Sequence, residues 1–373
     1  MASPDLVIIG SGILGLAHAL AAAKAGMSVE VIESTLAPQG ASIRNFGMIW
    51  PIGQTPGELR DFALRSREIW LEVADQANLF NDPCGSLHLA LHPIEAKLLN
   101  EFQSQNPNTT TILSPDETIE RFPLVNPTEL QSALFSTTEL CVNPREALAQ
   151  LPNFLNSEHG IRFSFGETVT NIDGNDIRTN LRNLSASKIF VCPGANFKIL
   201  FPDFFTHHGV QQCQLQMLRL EPPTPEKRLQ TMIAGGLTLS HYLSFRDCPS
   251  FPLVNQHHSD YYPEFMKRGI HVMASQHQSS EVTIGDSHTY GLDLPPFTEE
   301  QTDQLILGYL AKLIQSETWR VSSRWLGTYS KHPTKPLLKE QMSDATTICA
   351  SPGGAGMTLS FGWAERNIAD LTQ

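Results

Sequence analysis

The sequence of 373 residues lacks several features that would assign it to a class at once. Its six cysteines are scattered and form no Cys-x-x-Cys pair, which indicates buried free thiols in a reducing compartment. No apolar run approaches the ~20 residues of a membrane helix, and no charged leader with a cleavage site precedes the first apolar segment. A cytoplasmic protein without a membrane span is therefore predicted.

Basic residues are also few. The 26 lysines and arginines stand against 38 acidic residues, and the net charge of −12 argues against a nucleic-acid partner, although it leaves room for a local basic pocket for an anionic substrate. No Gly-x-Ser-x-Gly elbow follows a strand, so a Ser-His-Asp hydrolase is disfavoured. The histidines lack metal-ligand spacing in register with carboxylates, so no metal is predicted. Those considered are His207, His208, His257, His258, His271, His277 and His288.

The stretch from Asp5 to Ser34 carries the clearest positive signal. An apolar run at residues 6–9 predicts a strand. After it come the glycine segment Gly10-Ser11-Gly12-Ile13-Leu14-Gly15, then a helix, then a second strand at residues 27–32. The first glycine permits a sharp turn, the second the approach of a pyrophosphate, and the third close packing of the helix on the sheet. Glu33 ends the second strand, where a carboxylate accepts the ribose hydroxyls. Bound FAD or NAD is predicted, with its phosphates at the helix N-terminus.

Further helices and strands alternate along the chain. Helices are predicted over residues 59–79, 93–105, 117–122, 143–159 and 299–315, with a last one that ends near residue 371. Strands are predicted at residues 85–91, 188–192 and 325–329, and at 161–165 and 168–172, where the chain returns to its first domain. Alternating segments at residues 214–220, 241–245, 269–274 and 281–285 predict one mixed or antiparallel sheet, and hence a second domain.

Four segments occur in a characteristic order: the opening strand–helix–strand unit, the Arg44-Asn45 loop, a tight turn at residues 191–195, and Gly353-Gly354-Ala355-Gly356 before the closing helix. Together they resemble the FAD-dependent D-amino-acid oxidase superfamily, which includes glycine oxidase and sarcosine oxidase, over nearly the whole chain. The resemblance implies an FAD-dependent oxidoreductase that acts on CH–NH or CH–NH2 donors. The glycine segment near the C-terminus and the discontinuous first domain argue against an NAD-linked dehydrogenase.

The implied fold is of the α/β class. A discontinuous Rossmann-like FAD-binding domain is expected from residues 1–80, 145–211 and 324–373. A substrate domain with a mixed or antiparallel sheet is expected from residues 81–144 and 212–323.

The resemblance also implies which residues bind FAD. The N-terminal glycines hold the pyrophosphate, the acid holds the ribose, residues 41–47 pass beside the flavin, a residue corresponding to Val169 touches the adenine, and the C-terminal glycine loop approaches the flavin ring. The residues expected to bind FAD are Gly10, Gly12, Ile13, Leu14, Gly15, Glu33, Ser34, Ala41, Ser42, Arg44, Asn45, Phe46, Gly47, Val169, Pro193, Gly194, Trp325, Gly327, Gly353, Gly354, Gly356, Met357 and Thr358.

Two departures from the family pattern bear on the site. Thr358 stands where the C-terminal loop usually has its last glycine. In Trp325-Leu326-Gly327-Thr328-Tyr329-Ser330 the arginine that binds the substrate carboxylate in amino-acid oxidases is missing. An ordinary α-amino acid is therefore a poor expectation for the substrate.

Residues 41–53 and 241–250 resemble a narrower branch associated with phosphonate breakdown, thought to oxidise 2-aminoethylphosphonate or its N-methyl derivative to phosphonoacetaldehyde. A phosphonate dianion needs several donors. The residues expected to bind the substrate are Arg44, Met48, Tyr242, Arg246, Tyr329 and Lys331, with His332 and Lys335 as further donors. Tyr242, Tyr329 and His332 are the candidates for orienting the amine.

Other functions stay open. Glycine, sarcosine or another D-amino acid is the alternative substrate, and a non-catalytic flavoprotein is the alternative of a different class. Reduced flavin is expected to pass its electrons to O2 or to another acceptor. The oligomeric state is not predicted.

Overall fold

The computed structural model describes residues 3–372. Its helices are α1 (Ile13–Lys24), α2 (Glu58–Gln76), α3 (Pro93–Gln105), α4 (Pro115–Arg121), α5 (Pro144–His159), α6 (Pro202–His207), α7 (Thr238–His241), α8 (Phe251–Tyr261), α9 (Pro263–Lys267), α10 (Glu300–Leu313) and α11 (Gly356–Thr372). Short 3₁₀ helices lie at Ala41–Ile43, Pro51–Gly53, Leu243–Phe245 and Gly353–Ala355.

The strands belong to four sheets. They are β1 (Leu6–Ile9), β2 (Val29–Glu33), β3 (Met48–Ile49), β4 (Asn81–Asp82), β5 (Ser86–Ala90), β6 (Thr110–Leu113), β7 (Ser132–Ser136), β8 (Leu140–Val142), β9 (Arg162–Phe165), β10 (Val169–Asp173), β11 (Asp176–Thr179), β12 (Asn183–Ser185), β13 (Lys188–Val191), β14 (Gln211–Glu221), β15 (Met232–Ala234), β16 (Met273–Gln276), β17 (Val282–Gly285), β18 (Thr289–Gly291), β19 (Arg320–Lys331), β20 (Leu338–Gln341) and β21 (Thr346–Ala350).

A six-stranded sheet has the order β20-β21-β13-β1-β2-β9, and every pairing in it is parallel except that of β20 with β21. Helices α1, α2, α5 and α11 pack together over one face, where they bury an apolar core. A second core, which includes Val7, Ile32 and Ile189, lies on the other face. Because both faces are covered, the central strand β1 is apolar along its whole length, as the run at residues 6–9 indicated.

A second, nine-stranded sheet is mixed. Its order is β18-β14-β17-β16-β15-β5-β7-β6, and β19 pairs with β14 over residues 211–221. The pairing of β15 with β5 is parallel and the others are antiparallel. The predicted α/β fold with a mixed second sheet is thus confirmed. The strands of the first sheet all lie within the segments proposed for the FAD-binding domain, and the proposed domain boundaries themselves stay a prediction.

Two predicted strands differ from the structure. Residues 241–245 are not a strand: after β15 the chain turns at Gly235 and Gly236 into α7, whose Thr238 N–H donates to the Gly235 carbonyl. A Cβ atom at Gly236 would lie 2.2 Å from the Glu95 carboxylate, so the turn depends on the absence of a side chain there. Residues 168–172 do form a strand, β10, but it pairs with β11 in a separate three-stranded sheet, because the chain folds back at once into an antiparallel meander.

The cysteines and helices agree with two simpler expectations. All six cysteines are free, and all but Cys84 are buried. Within residues 3–372, no helix combines the length and apolar character that a membrane span requires.

Candidate FAD and substrate site

Two glycines fix the turn between β1 and α1. Gly10 has φ +104°, and a Cβ atom there would lie 2.3 Å from the Cys192 carbonyl oxygen. A Cβ atom at Gly15 would lie 1.9 Å from the carbonyl oxygen of Gly10. Helix α1 therefore sits directly on the end of the strand, as a dinucleotide turn requires.

The N-terminus of α1 is free to receive an anion. Gly12 precedes the helix and offers no side-chain cap of its own, and the first turn has no acidic residue. The Ile13 N–H donates to Ser42 Oγ at 3.0 Å. Among the residues described, and apart from the chain neighbours and helix backbone of Gly12, that Oγ is the sole atom within 4 Å of a Cβ added at Gly12. A 12-residue helix with open space at its positive end fits a pyrophosphate. Leu14, the next residue of this turn, is buried.

Glu33 is held in place at the tip of β2. One carboxylate oxygen accepts from the N–H and the hydroxyl of Ser11 at 2.9 and 3.0 Å. The other accepts from the Ser34 hydroxyl and from the N–H and hydroxyl of Thr35. Burial acts to raise the pKa of Glu33, but these hydrogen bonds outweigh it and leave the pKa below its usual value. The carboxylate is thus ionised and placed beside the glycine turn, where it suits ribose hydroxyls.

The loop at residues 41–47 is rigid and lies against β19. Asn45 donates to the carbonyls of Ala41 and Ser42 and accepts from the Gly47 N–H. A Cβ atom at Gly47, where φ is +74°, would lie 2.0 Å from the Val142 carbonyl.

Loop and strand are joined by hydrogen bonds. Arg44 donates to the Leu326 carbonyl at 3.2 Å, and Trp325 Nε1 donates to the Arg44 carbonyl at 3.1 Å. A Cβ atom at Gly327 would be 3.2 Å from that same carbonyl. On the far side of the loop, the Phe46 carbonyl accepts from the Ser275 hydroxyl at 2.7 Å. The loop is thus fixed between α1 and the second sheet.

The segment that begins α11 returns to the same place. Gly353 has φ +57°, and a Cβ atom at Gly356 would lie 3.7 Å from Ile13 Cγ2. The Met357 carbonyl accepts from Trp70 Nε1, and the Thr358 hydroxyl accepts from the Trp50 N–H at 3.0 Å. Thr358 therefore anchors the backbone at Trp50.

Three further residues of the expected FAD set lie close to the first sheet. Val169 is buried in the core with Val7 and Ile32. Pro193 and Gly194 form the turn after β13, where Gly194 has φ +56° and the Pro193 carbonyl accepts from the Asn196 N–H. Their contacts with FAD stay predictions.

Segments from the beginning, middle and end of the chain thus converge on the N-terminus of α1. The sequence profile of the family described as "FAD dependent oxidoreductase" matches residues 5–371. The chain belongs to this family. FAD is accordingly its cofactor, and the glycine turn, the open helix N-terminus and Glu33 fit the pyrophosphate and the ribose.

Solved structures of the same fold support the assignment. Glycine oxidase from Geobacillus kaustophilus has a TM-score of 0.78 at 19% identity, with 100% of this chain and 95% of that chain covered. L-proline dehydrogenase from P. horikoshii has a TM-score of 0.79 at 18% identity, with 99% and 93% covered. L-alpha-glycerophosphate oxidase from Mycoplasma pneumoniae, solved with FAD bound, has a TM-score of 0.73 at 16% identity, with 99% and 95% covered. No curated protein sequence matches the chain significantly.

Tyr242 is half-buried at the end of α7, and we take its surroundings as the candidate substrate cleft. Its ring lies 6.3 Å from that of Trp50, and its hydroxyl donates to Met273 Sδ at 3.3 Å. A thioether is a weak acceptor, so the hydroxyl keeps most of its capacity for a ligand. Burial raises the pKa of Tyr242, which stays protonated. Met48, also expected at the substrate, is buried in β3 opposite Cys141.

Tyr329 lies beside the C-terminal glycine loop. A Cβ atom added at Gly354 would lie 3.4 Å from its hydroxyl. Two residues along β19, Lys331 Nζ lies 3.2 Å from the Tyr290 hydroxyl and 5.0 Å from the centre of its ring. Strand β19 thus brings a phenol and an ammonium group to the side of the expected flavin ring.

Two other candidates are less well placed. Arg246 is exposed at the end of the 3₁₀ helix Leu243–Phe245. His332 is buried, and its Nδ1 accepts from the N–H groups of Thr334 and Lys335, which gives it a structural role in that turn. Neither makes a hydrogen bond or a ring contact with Tyr242 or Tyr329 within residues 3–372, so their predicted roles rest on the sequence alone.

The structure also assembles a group that the sequence did not indicate, here called the histidine cluster: His241, His271 and His288 with Asp286. The ring centres of His241 and His271 are 3.7 Å apart, and His271 Nε2 lies 3.3 Å from the Asp286 carboxylate. The ring of Tyr242 is 5.0 Å from that of His241 and 5.7 Å from that of His271. The cluster therefore borders the cleft at Tyr242.

Burial governs the protonation of the cluster. It lowers the pKa of His241 and His271 well below the usual value and that of His288 to about 4, with a smaller contribution from the charge of Lys331. Burial also raises the pKa of Asp286 well above its usual range. His241 is nonetheless exposed by surface area. Protein atoms surround its ring and lower its pKa, although part of the residue still reaches solvent.

Spacing along the chain did not reveal this cluster, since its histidines lie 17 to 47 positions apart, as residues 241, 271 and 288. The available signal was a carboxylate and an imidazole at residues 286 and 288, directly after the buried strand β17.

Proposed function

We propose that the protein oxidises a small anionic amine, N-methyl-2-aminoethylphosphonate or 2-aminoethylphosphonate, to phosphonoacetaldehyde. The observation that carries the proposal is the position of Tyr329. Strand β19 places a tyrosine beside Gly354 and a lysine two residues further on, and its segment 325–331 contains no arginine. Lysine binds phosphate-type anions as a point charge, so a pocket that keeps Lys331 but lacks the arginine of the amino-acid oxidases is compatible with a phosphonate.

The residues of the cleft have separate tasks in this reaction. Lys331 supplies a positive charge for the phosphonate, and the Tyr242 hydroxyl orients the amine, which must bind as the neutral base. Bound FAD supplies the hydride acceptor that converts the amine to an imine, and hydrolysis of the imine gives the aldehyde with ammonia or methylamine. Alignment of the α-C–H is the main requirement, so the cleft needs no strong base.

The activities named for the similar structures are compatible with either substrate class. Two of them describe oxidation of amino acids, and one describes oxidation of a glycerophosphate. Glycine, sarcosine or another D-amino acid is therefore the alternative substrate. It would require Arg44, Arg246 or Lys331 to take the place of the missing arginine.

Anaerobic reduction of the purified holoenzyme, followed at the flavin absorbance maximum, tests the proposal. We expect bleaching by 2-aminoethylphosphonate or its N-methyl form and none by glycine or sarcosine. Bleaching by glycine or sarcosine alone would favour the alternative. If dithionite reduces the flavin but none of the four compounds does, the result would favour a non-catalytic flavoprotein.

A further inference from the structure

We infer that the histidine cluster is a binding site for a divalent transition-metal ion of the Zn²⁺ type. Three imidazoles and one carboxylate are a donor set that zinc prefers. The candidate nitrogen atoms of His241, His271 and His288 all lie within 4.8 Å of one another. Of the residues described, these histidines form the sole group of three or more ligating side chains so close together.

Two buried groups of the cluster have no hydrogen-bond partner. His271 is 3% exposed and Asp286 is 4% exposed. Neither ring nitrogen of His271 nor Oδ1 of Asp286 is hydrogen-bonded within residues 3–372. His271 Nε2 and Asp286 Oδ1 are 3.3 Å apart, but their angle does not make a hydrogen bond. Orphaned buried polar atoms are costly, and a cation between them would satisfy both.

The third ligand is already oriented. His288 Nδ1 lies 2.8 Å from the Gly269 carbonyl. A carbonyl can only accept, so the proton is on Nδ1 and the lone pair of Nε2 is directed toward Asp286, 3.9 Å away. Metal-ligating histidines commonly donate their second ring N–H to a carbonyl in this way, which fixes the tautomer and the ring orientation.

The backbone fixes the two buried ligands His271 and Asp286, whereas the side chain of His241 can rotate. His271 and Asp286 are joined by two backbone hydrogen bonds, of 3.2 and 3.0 Å. His241, by contrast, is exposed to the cleft at the end of α7. Tetrahedral zinc places neighbouring nitrogens about 3.4 Å apart. The widest separation in the cluster would thus close by about 1.4 Å, which rotation of the His241 side chain can supply.

The zinc site is tested by titrating the holoenzyme with ZnCl2 in a calorimeter, after dialysis against EDTA and then against chelator-free buffer. We expect about one ion per chain. Loss of an outer-shell partner already costs 10–100-fold in metal affinity, so loss of a ligand in His241→Ala or His271→Ala is expected to weaken binding by about 100-fold or more. His207→Ala, on the exposed end of α6, removes a histidine outside the cluster and should bind zinc like the wild type.

His241→Ala decides the question if His271→Ala fails to fold, because His241 is an exposed residue at the end of α7 and lies outside the buried pair β16 and β17. Its FAD content and melting temperature should equal those of the wild type. A holoenzyme that binds no zinc, or that binds it equally well in His241→Ala, overturns the site. This titration uses no amine and no turnover, so its failure leaves the proposed oxidation standing, and failure of that oxidation leaves the zinc site standing.

The four protein ligands complete a tetrahedral site, so an oxygen ligand from outside would make the ion five-coordinate. A phosphonate is such a ligand, and this part of the inference rests on the proposed function. Methylphosphonate, which cannot be oxidised, is expected to bind the zinc-loaded holoenzyme at least about tenfold more tightly than the EDTA-treated one. Equal affinities would show that the ion does not bind the substrate anion.

Discussion

Glu33 shows how one side chain prepares the protein for its cofactor. Its carboxylate accepts five hydrogen bonds from Ser11, Ser34 and Thr35. Glu33→Ala leaves those donors unpaired and removes the acceptor for ribose, at a cost of about 1–3 kcal/mol. We expect the variant to purify with about tenfold or more weaker FAD affinity, measured as the flavin-to-protein ratio after dialysis. Glu72→Ala, which removes an exposed partner of Lys24, should keep full occupancy.

The same residue makes stability depend on pH. The folded-state pKa of Glu33 is lowered, so its contribution is present above the unfolded pKa of about 4.3 and is lost as the pH falls through the folded value. Glu33→Gln does not titrate. The difference in unfolding free energy between wild type and Glu33→Gln is therefore expected to shrink from pH 6 to pH 3 in denaturant titrations. A difference that stays constant over this range would contradict the assignment.

Tyr242 is the residue whose role in the proposed reaction is most direct. Its hydroxyl has only the thioether of Met273 as a partner among the residues described, so it is available to the amine. Tyr242→Phe keeps the ring beside Trp50 and is expected to slow anaerobic flavin reduction about fivefold, since one hydrogen bond contributes about 1 kcal/mol. FAD content should not change. Tyr261→Phe, an exposed phenol, is the control, and equal rates in all three proteins would remove Tyr242 from the reaction.

At the scale of elements, the junction of β1 and α1 depends on close backbone approach. A methyl group at Gly15 would lie 1.9 Å from the Gly10 carbonyl, so Gly15→Ala must push the helix away from the strand. We expect a loss of about 1–3 kcal/mol in unfolding free energy, together with loss of FAD, because the anion site is the end of that helix.

Gly308→Ala is the matched control for this substitution. Gly308 lies in α10 with nothing within 4 Å of an added Cβ among the described residues. It should be neutral or gain up to about 1 kcal/mol from the better helix propensity of alanine. Equal destabilisation in both variants would mean that helical context, and not the contact with Gly10, decides the effect.

Local sequence signals predicted the elements better than their partners. The opening unit at residues 6–33 and helix α3 were expected where they occur, because apolar spacing, glycine and proline define them locally. Residues 241–245 were wrongly predicted as a strand, because the chain turns before them at Gly236, which packs against Glu95, far away in sequence, and continues as α7 and a 3₁₀ helix. The histidine cluster was missed for the same reason: β16, β17 and α7 bring its members together only through tertiary pairing.

The whole molecule offers a last test, because the expected FAD site draws on residues 10–15, 33–47 and 325–358. A ligand that binds only the folded state stabilises it by about 2.7 kcal/mol at 100 times its dissociation constant. Removal of FAD should therefore lower the melting temperature by several degrees, and added FAD should restore it. ADP, which shares the pyrophosphate and ribose but lacks the flavin, should restore only part. In the structure the start of α11 meets α1 at Gly356 and Ile13, so contacts of residues 353–358 and of the 41–47 loop with the flavin ring should add to the stability. Full restoration of the melting temperature by ADP would indicate that these contacts contribute nothing.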